Sequence, residues 1–269
     1  MLPDERREKV LQFIEKKGFV SLLEIADAFQ ISESTARRDV EYLANFGQIR
    51  RTRGGAAYVG ESLTPFTVRL KKAKREKRAI AARAVERIHP ADTILLDGGT
   101  TTLELARHLP AIPIQVVTNS LPIINVLVSR PEIELIAIGG YVYPKTGVSL
   151  GPIAEKVLGE LRVAKLFMSA GGITEDGLFN SNALLAETER RMMAAADEVI
   201  VLADSSKFGR SALARLCPLE NVDVMIVDEG LDPVWRRRLE AEGIELVLAP
   251  LDAEEVRSKP ERNDGDEME

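Results

Sequence analysis

Hydroxyl and guanidinium side chains are concentrated in one short segment near the start of the chain. Hydroxyls and guanidinium groups hydrogen-bond to the base edges and phosphates of duplex DNA, so this grouping could read a DNA sequence. An ordinary helical hairpin with a solvated arginine pair would show a similar spacing. The residues that could make such contacts are Ser32, Ser34, Thr35, Arg37 and Arg38.

Two predicted helices would hold these side chains in place. The first follows Ser21, and the Ser-x-x-Glu spacing of Ser21 and Glu24 predicts a capping box at its start. Only Gln30-Ile31 separates it from a second helix capped by Ser32, which leaves room for a tight turn alone. Val40 and Leu43 fall on the opposite face of the second helix from its arginines. A helix, a tight turn and a polar second helix are what recognition in the major groove requires.

A second arginine-rich element lies just downstream, over residues 48–59. Short apolar and polar stretches flank Gly54-Gly55, which predicts two strands joined by a turn at the glycines. A hairpin directly after a recognition helix is a wing. Its side chains Arg51 and Arg53 are placed to reach phosphates or a neighbouring minor groove.

Residues 1–60 resemble the winged helix-turn-helix of the DeoR family of bacterial transcriptional regulators. The family usually has a histidine before the wing glycines, where this chain has Arg53. The resemblance implies binding to double-stranded operator DNA. The matching residues are Arg6, Arg7, Glu24-Ile25-Ala26, Ser32, Thr35, Arg37-Arg38-Asp39, Leu43, Gly47, Arg51 and Gly54-Gly55-Ala56.

From Asp92 onward, short apolar runs alternate with helical patterns. This alternation predicts an α/β domain with a largely parallel sheet covered on both faces. The predicted strands are 93–96, 114–117, 133–138, 164–168, 199–202, 222–227 and 244–248. The predicted helices between them are 102–109, 121–129, 152–161, 183–195 and 233–242.

Glycines and polar residues follow several of these strands, where parallel sheets collect ligands. Asp97-Gly98-Gly99-Thr100-Thr101-Thr102 then leads into a helix, and glycines, free N–H groups and hydroxyls together suit a phosphate. The loop lacks the Gly-Lys-Ser/Thr of a Walker sequence, and a tight turn capped by Thr100 is the alternative. The predicted ligand-binding residues are Asp97, Gly99, Thr100, Thr101, Thr102, Asn119, Ser120, Gly139, Gly140, Gly171, Glu187 and Lys207.

These strand ends also resemble the effector domain of DeoR-type regulators. The resemblance implies sugar-phosphate binding on a fold related to ribose-5-phosphate isomerase. With the winged domain included, the resemblance to the family covers residues 3–250. Gly98 departs from the alanine that is more usual after the aspartate. The most specific matches are Asp97-x-Gly99-Thr100-Thr101, Thr118-Asn119-Ser120, Gly139-Gly140 and Asp204-x-Ser206-Lys207-Phe208-Gly209.

Length and breaker residues predict two domains. The 269 residues suffice for a small domain and a larger one, each with its own core. Val68–Arg87 reads as a basic helix whose Ile80, Ala84 and Ile88 pack inward, although its charges could also form an arm facing DNA. The predicted parts are a DNA-binding domain at 1–59, a linker at 60–75, an effector and oligomerisation domain at 76–251, and a disordered acidic tail at 252–269.

Composition narrows the remaining possibilities. A net charge of −6 argues against non-specific coating of nucleic acid, and no apolar run reaches the length of a membrane span. We therefore expect a cytoplasmic protein without a membrane partner. The lone Cys217 is expected to be a structural thiol, and no His, Asp and Glu set has metal-binding spacing. Neither a metal nor a cofactor is expected.

Two classes of function remain at this point. The first is a homo-oligomeric regulator, a dimer or tetramer, whose binding to operator DNA responds to a phosphorylated sugar. The second is a sugar-phosphate isomerase with an appended DNA-binding domain, for which Asp97, Glu187 and Lys207 could supply acid–base groups. The winged domain favours the regulator, and we therefore predict no catalytic residues. That it represses a carbohydrate-metabolism operon is an expectation from the family.

Overall fold

The computed structural model describes residues 3–17, 19–45, 49–58 and 66–251. The predicted acidic tail at 252–269 and the first part of the predicted linker, 60–65, lie outside these residues, as does Gly47. None of the helices within the described ranges combines the length and the apolarity that crossing a bilayer requires.

The N-terminal domain packs three helices against a three-stranded antiparallel sheet. Its helices are α1 (Pro3–Lys17), α2 (Leu22–Phe29) and α3 (Glu33–Asn45), and its strands are β1 (Phe19–Ser21), β2 (Ile49–Thr52) and β3 (Gly55–Tyr58). The predicted capping box is present, because Ser21 accepts from the amide of Glu24 and the Glu24 side chain accepts from Ser21. Buried side chains from all three helices and all three strands form one core, including Ile14, Val20, Ile25, Val40, Leu43, Ile49 and Ala56.

Strand β3 lies in the middle of this sheet, in the order β1-β3-β2. The wing turn consists of Arg53 and Gly54, and Gly54 adopts a left-handed φ of 88°. Gly55 belongs to β3, whereas the sequence had suggested both glycines in the turn. A Cβ on Gly55 would lie 2.3 Å from the carbonyl oxygen of Val20, so only glycine allows β1 to pair this closely.

Seven parallel strands form the central sheet of the larger domain. They are β4 (Thr93–Leu96), β5 (Ile114–Thr118), β6 (Ile133–Ala137), β9 (Val163–Met168), β12 (Ala196–Ala203), β14 (Val224–Asp228) and β15 (Glu245–Ala249). Their order is β15-β14-β12-β9-β4-β5-β6, and every pairing is parallel. The chain thus runs outward in one direction from β4 and in the other from β9. The crevice at such a switch point is where open α/β sheets bind ligands.

Helices cover both faces of this sheet. They are α4 (Phe66–Lys71), α5 (Lys74–Val85), α6 (Thr100–His108), α7 (Leu121–Leu127), α8 (Pro152–Leu158), α9 (Ala183–Ala195) and α10 (Pro233–Ala241). Successive residues of a strand enter different cores: Leu95 belongs to one buried cluster, and Ile94 and Leu96 belong to the other. The predicted α/β architecture with a covered parallel sheet is confirmed.

Two small antiparallel sheets were not predicted. Strands β7 (Tyr141–Tyr143) and β8 (Val148–Leu150) form a hairpin after β6. Strands β10 (Gly172–Thr174), β11 (Gly177–Asn180) and β13 (Ala214–Cys217) form the second sheet. Burial raises the pKa of the Cys217 thiol to about 11, so the thiol stays protonated at neutral pH.

The predicted helix over 68–87 is broken. Ala73 takes a left-handed φ of 50° and separates α4 from α5. Ile80, Ala84 and Ile88 are buried as expected. Phe66 and Leu70 of α4 also pack against the larger domain, so the described part of the predicted linker is helical and joins this core.

Candidate functional site

Helix α3 presents its arginines to solvent because its apolar residues recur at helical spacing. Ala36, Val40 and Leu43 are buried, which leaves Arg37 and Arg38 exposed on the outer surface. At the start of the helix, the hydroxyl of Ser32 accepts from the backbone amide of Thr35 at 3.2 Å and caps the first turn. The same hydroxyl lies 2.9 Å from that of Ser34 and 2.8 Å from that of Thr35.

Asp39 fixes α3 against the first helix. Its side chain is buried and accepts hydrogen bonds from Arg6 Nε at 2.7 Å and from Arg7 Nε at 3.3 Å. The guanidinium of Arg7 also stacks over the ring of Tyr42, 3.8 Å from its centre. The arginines of α1 therefore hold α3 in position.

The arginines predicted to contact DNA are available at the surface. Arg37 pairs with Glu33 at 3.2 Å, and Arg51 of the wing pairs with Glu41 at 2.9 Å. Both pairs are exposed, and exposed pairs contribute little free energy, so a phosphate can replace the carboxylate. Within the described parts of the chain, the exposed Arg38 and Arg53 form no ion pair.

In the larger domain, Asp97 is the centre of the loop after β4. Its buried carboxylate accepts from the amide of Gly99 at 2.9 Å, the hydroxyl of Thr102 at 2.6 Å, and the amide and hydroxyl of Ser169 at 2.8 and 3.0 Å. Burial raises the pKa of Asp97, while these four donors favour its charged form. Asp97 thus ties the loop after β4 to the loop after β9.

Close packing explains both glycines of this loop. A Cβ on Gly99 would lie 2.1 Å from the hydroxyl oxygen of Ser169. A Cβ on Gly98 would lie 1.9 Å from a methyl group of Val148. Val148 therefore occupies the space that an alanine at position 98 would fill.

A cavity opens beside these two loops, at the switch point between β4 and β9. Its enclosed space is small, about 50 Å³, and it opens to solvent through a wider mouth. Four of the predicted ligand residues contribute to its lining, namely Asp97, Gly99, Asn119 and Gly171. Side chains that the sequence did not suggest also line it, among them Arg69, Tyr143, Thr146, Asn180, Thr188 and Glu189.

Several polar atoms at this cavity are buried without a hydrogen-bond partner. Within the described residues, Asn119 Oδ1, Thr146 Oγ1 and Thr188 Oγ1 have none, although Asn119 Nδ2 donates to the carbonyl of Ser149 at 2.8 Å. Buried polar atoms are rarely left unsatisfied in folded proteins. Three of them line one cavity, where ordered water or a polar ligand would satisfy them.

Glu189 is the second buried carboxyl group in this cavity. Asn180 Nδ2 donates to both of its oxygens, at 2.7 and 2.8 Å. Burial, and after it the charge of Asp97, raises the pKa of Glu189 to about 8. The group is therefore largely protonated at neutral pH and can donate a hydrogen bond.

A smaller cavity, with about 10 Å³ of enclosed space, lies at the start of α6. Thr100 and Lys207, both predicted as ligand residues, line it with Asp204, Lys72, Lys77 and Arg69. Thr100 is the first residue of α6, where the N-cap residue Gly99 offers no side-chain cap to the free N–H groups. Three lysines, an arginine and a helix start form a cationic region beside the first cavity.

The remaining predicted ligand residues lie outside both linings. Thr102 supports Asp97, and Thr101 is buried in α6. Ser120 is buried, and its hydroxyl has no partner within the described chain. Gly139 and Gly140 follow β6, and Glu187 forms exposed ion pairs with Arg190 at 2.6 Å and Arg191 at 3.7 Å.

Comparison with known protein families gives two matches. The family described as the DeoR C terminal sensor domain matches residues 72–229, which is more than half of the chain. The chain belongs to the DeoR family. The DeoR-like helix-turn-helix domain matches residues 6–62 of this DeoR-family regulator, in agreement with the winged domain described above.

Curated relatives extend over almost the whole regulator. The HTH-type transcriptional regulator YulB of Bacillus subtilis (strain 168) is 34% identical over 254 residues, covering 93% of this chain and 98% of its own. The HTH-type transcriptional regulator UlaR of Escherichia coli (strain K12 / DH10B) is 28% identical and covers 92% of this chain and 99% of its own. The DeoR-family assignment thus spans both domains.

Solved structures give more distant similarities to this DeoR-family chain. Ribose 5-phosphate isomerase A from Methanocaldococcus jannaschii is 20% identical, with a TM-score of 0.39 over 51% of this chain and 55% of its own. The translation initiation factor eIF-2B from Pyrococcus horikoshii OT3 is 16% identical, with a TM-score of 0.42 over 83% of this chain and 86% of its own.

Proposed function

We propose that this protein is a homo-oligomeric repressor of a carbohydrate-metabolism operon and that a phosphorylated sugar modulates its binding to operator DNA. The single observation that carries this proposal is the set of buried, unsatisfied polar atoms of Asn119, Thr146 and Thr188 at one cavity. A ligand rich in hydroxyl groups satisfies such atoms, because each hydroxyl both donates and accepts.

Charge gives this ligand an orientation. The larger cavity holds the carboxylate of Asp97, whose charge disfavours a phosphate beside it, and the largely protonated Glu189, which can hydrogen-bond to a sugar hydroxyl. The smaller cavity holds Lys207 and the start of α6 at Thr100, which attract a phosphate. These charges favour the sugar in the larger cavity and the phosphate toward the cationic one.

The DNA-binding part of the proposal uses the exposed face of α3 and the wing. Arg37 and Arg38 enter the major groove, where guanidinium groups pair with guanine edges. Arg51 and Arg53 reach the backbone phosphates. Oligomerisation through the larger domain pairs two winged domains on repeated half-sites, as symmetry requires.

Turnover of the sugar phosphate is the second candidate function. One observation favours it: Glu189, with a pKa of about 8, lines the same cavity as Asp97, and two carboxyl groups can exchange protons with a bound sugar. Asp97 already accepts from four donors that hold the loop, which commits it to structure. Regulation is therefore the better supported function.

Fluorescence anisotropy tests the proposal directly. Labelled DNA from upstream of the gene is titrated with the full chain at one fixed salt concentration, with and without pentose and hexose phosphates and the same sugars unphosphorylated. We expect tight binding that one phosphorylated sugar alters and its free sugar does not. Operator binding that no sugar phosphate alters would contradict the proposal, and sustained isomerisation in a parallel assay would favour the enzyme.

Matched variants sharpen this experiment. Asn119→Ala removes an unsatisfied oxygen from the cavity and should weaken the effect of the sugar phosphate. Glu187→Gln removes an exposed carboxylate from the helix that carries Glu189, outside both cavities, and should leave the effect unchanged. Equal responses in the two variants would show that the ligand does not bind in this cavity.

A further inference from the structure

Helix α4 is the first described element after the wing. Residues 59–65 connect it to β3, and seven residues span at most about 25 Å when fully extended. Because seven residues form a short connection, movement of α4 can be passed to the winged domain. The contacts of α4 therefore decide what the winged domain can sense.

A buried lysine fastens the end of α4 to the larger domain. Lys77 is buried, and its ammonium donates to the carbonyl of Arg69 at 2.5 Å and to that of Lys72 at 2.6 Å. The last carbonyls of a helix lack intrahelical partners, so the lysine satisfies them in a region where water is excluded. The break at Ala73 brings α5 back to supply this lysine.

Arg69 extends from α4 to both cavities. Of the residues that line the two, it is the one they share. Its positive charge also acts on Glu189, where it lowers a pKa that burial and Asp97 raise. If a sugar phosphate spans the two cavities, Arg69 lies next to its phosphate end.

We propose that Arg69 is an anion-binding residue of the ligand site and that its engagement couples the ligand to the winged domain. The inference rests on the proposed function. A planar guanidinium binds a phosphate through two parallel hydrogen bonds, which fixes direction as well as position. Because α4 carries this group, the phosphate favours one placement of α4 over others. That differential binding is what shifts a population of DNA-competent molecules.

The charges that face Arg69 support an anion. In the smaller cavity Lys72, Lys77 and Lys207 outnumber the one carboxylate, Asp204. Adding a phosphate dianion to this cluster reduces the net charge rather than raising it. Arg69 therefore lies in a cluster whose net positive charge a bound phosphate would lower.

The test compares Arg69→Gln with Lys71→Gln in the full-length protein. Both remove one positive charge from α4, and Lys71 is exposed and lines neither cavity. Calorimetric titration with inorganic phosphate, the pentose and hexose phosphates and the free sugars measures binding, and anisotropy measures the operator response. We expect Arg69→Gln to lower the affinity for phosphorylated ligands about tenfold or more and to leave the operator affinity within about twofold. Operator binding by this variant should no longer change when a sugar phosphate is added.

Hydrogen exchange reports on the coupling separately. The amides of α4 should become more protected when the wild-type protein binds a sugar phosphate, and should not in Arg69→Gln. Arg69→Lys keeps the charge without the planar fork, so it tests the inference if the glutamine variant fails to fold. It should bind phosphorylated ligands more weakly than wild type and respond less.

The outcomes separate the two proposals. Wild-type protein that binds no sugar phosphate refutes the proposed function. Wild-type protein that binds and responds, beside Arg69 variants with the same affinity, response and α4 protection, overturns only the role of Arg69. Loss of ligand affinity in Lys71→Gln equal to that in Arg69→Gln would also overturn it, because general charge would then explain the effect.

Discussion

The hydroxyl of Ser169 occupies the place where a side chain on Gly99 would begin, 2.1 Å from the ideal Cβ position. This hydroxyl also donates to Asp97 at 3.0 Å. A methyl group at position 99 therefore pushes the loop after β4 away from the loop after β9, where both line the larger cavity.

Gly99→Ala should lower the free energy of unfolding by about 1–3 kcal/mol, the usual cost of overpacking. Chemical denaturation measures the change. Gly139→Ala is the control, because a Cβ there meets nothing within 4 Å and φ lies outside the left-handed region. Equal stability of the two variants would show that the loop moves freely aside.

Replacing Arg37 or Arg38 with Ala should weaken operator binding by about 1–3 kcal/mol where the side chain contacts a base. The melting temperature should stay near that of wild type, since both side chains are exposed. Lys9→Ala, an exposed cation on α1, controls for the loss of charge alone. Operator affinity that neither arginine variant changes would remove the recognition role of α3.

Lys207→Ala should leave operator affinity unchanged in the absence of ligand and abolish the response to the sugar phosphate. Lys207 lines the cationic cavity with Thr100, and removing its charge leaves the phosphate with fewer partners. Arg191→Ala removes a cation that pairs with Glu187 outside both cavities, and should respond normally. A fully responsive Lys207 variant would place the phosphate elsewhere.

The pKa of Glu189 predicts a pH dependence of stability. In the native protein it is about 8, against an ordinary value of 4.5, so the native state keeps a proton that the unfolded chain releases between these pH values. The free energy of unfolding should therefore fall as pH rises from about 4.5 to about 8. Glu189→Gln should flatten this slope, as denaturant titrations at several pH values would show.

Glu187→Gln serves as the control for the pH experiment. Its carboxylate is exposed and already paired, so wild-type pH dependence should persist. Asp97 also has a raised pKa and contributes a slope of the same sign, which both variants retain. A slope unchanged by Glu189→Gln would assign the whole effect to Asp97 or to other groups.

Much of the sheet was predictable because its strands are buried on both faces. Such strands read as unbroken apolar runs, and the structure gives 93–96 as predicted and 183–195 as the predicted helix. Strands of the small antiparallel sheets have as few as three residues, too few for a period to be recognised. Their pairing depends on distant residues rather than on local pattern.

At the larger cavity, the residues predicted from the sequence and the residues that line it differ. Glu187 on α9 was predicted to bind the ligand, whereas Glu189 is the carboxyl group that lines the cavity. Glu189 lies on the buried side of α9 with Ala186, Met192 and Ala195. Spacing of three residues along that face could have identified Glu189. Arg69 gave no such signal, because its role depends on the fold that brings α4 against α6.

The contacts of Lys77 also determine where a domain chimera of this protein can be joined. The match to the sensor family begins at residue 72 and so leaves out Arg69. The backbone carbonyl of Arg69 is one of the two that accept from the Lys77 ammonium. A chimera joined at residue 72 would leave a buried charge short of a partner, and would part Arg69 from its cavities. Exchanging the sensor domain between such regulators therefore requires a junction before Phe66, so that α4 stays with the domain against which it packs.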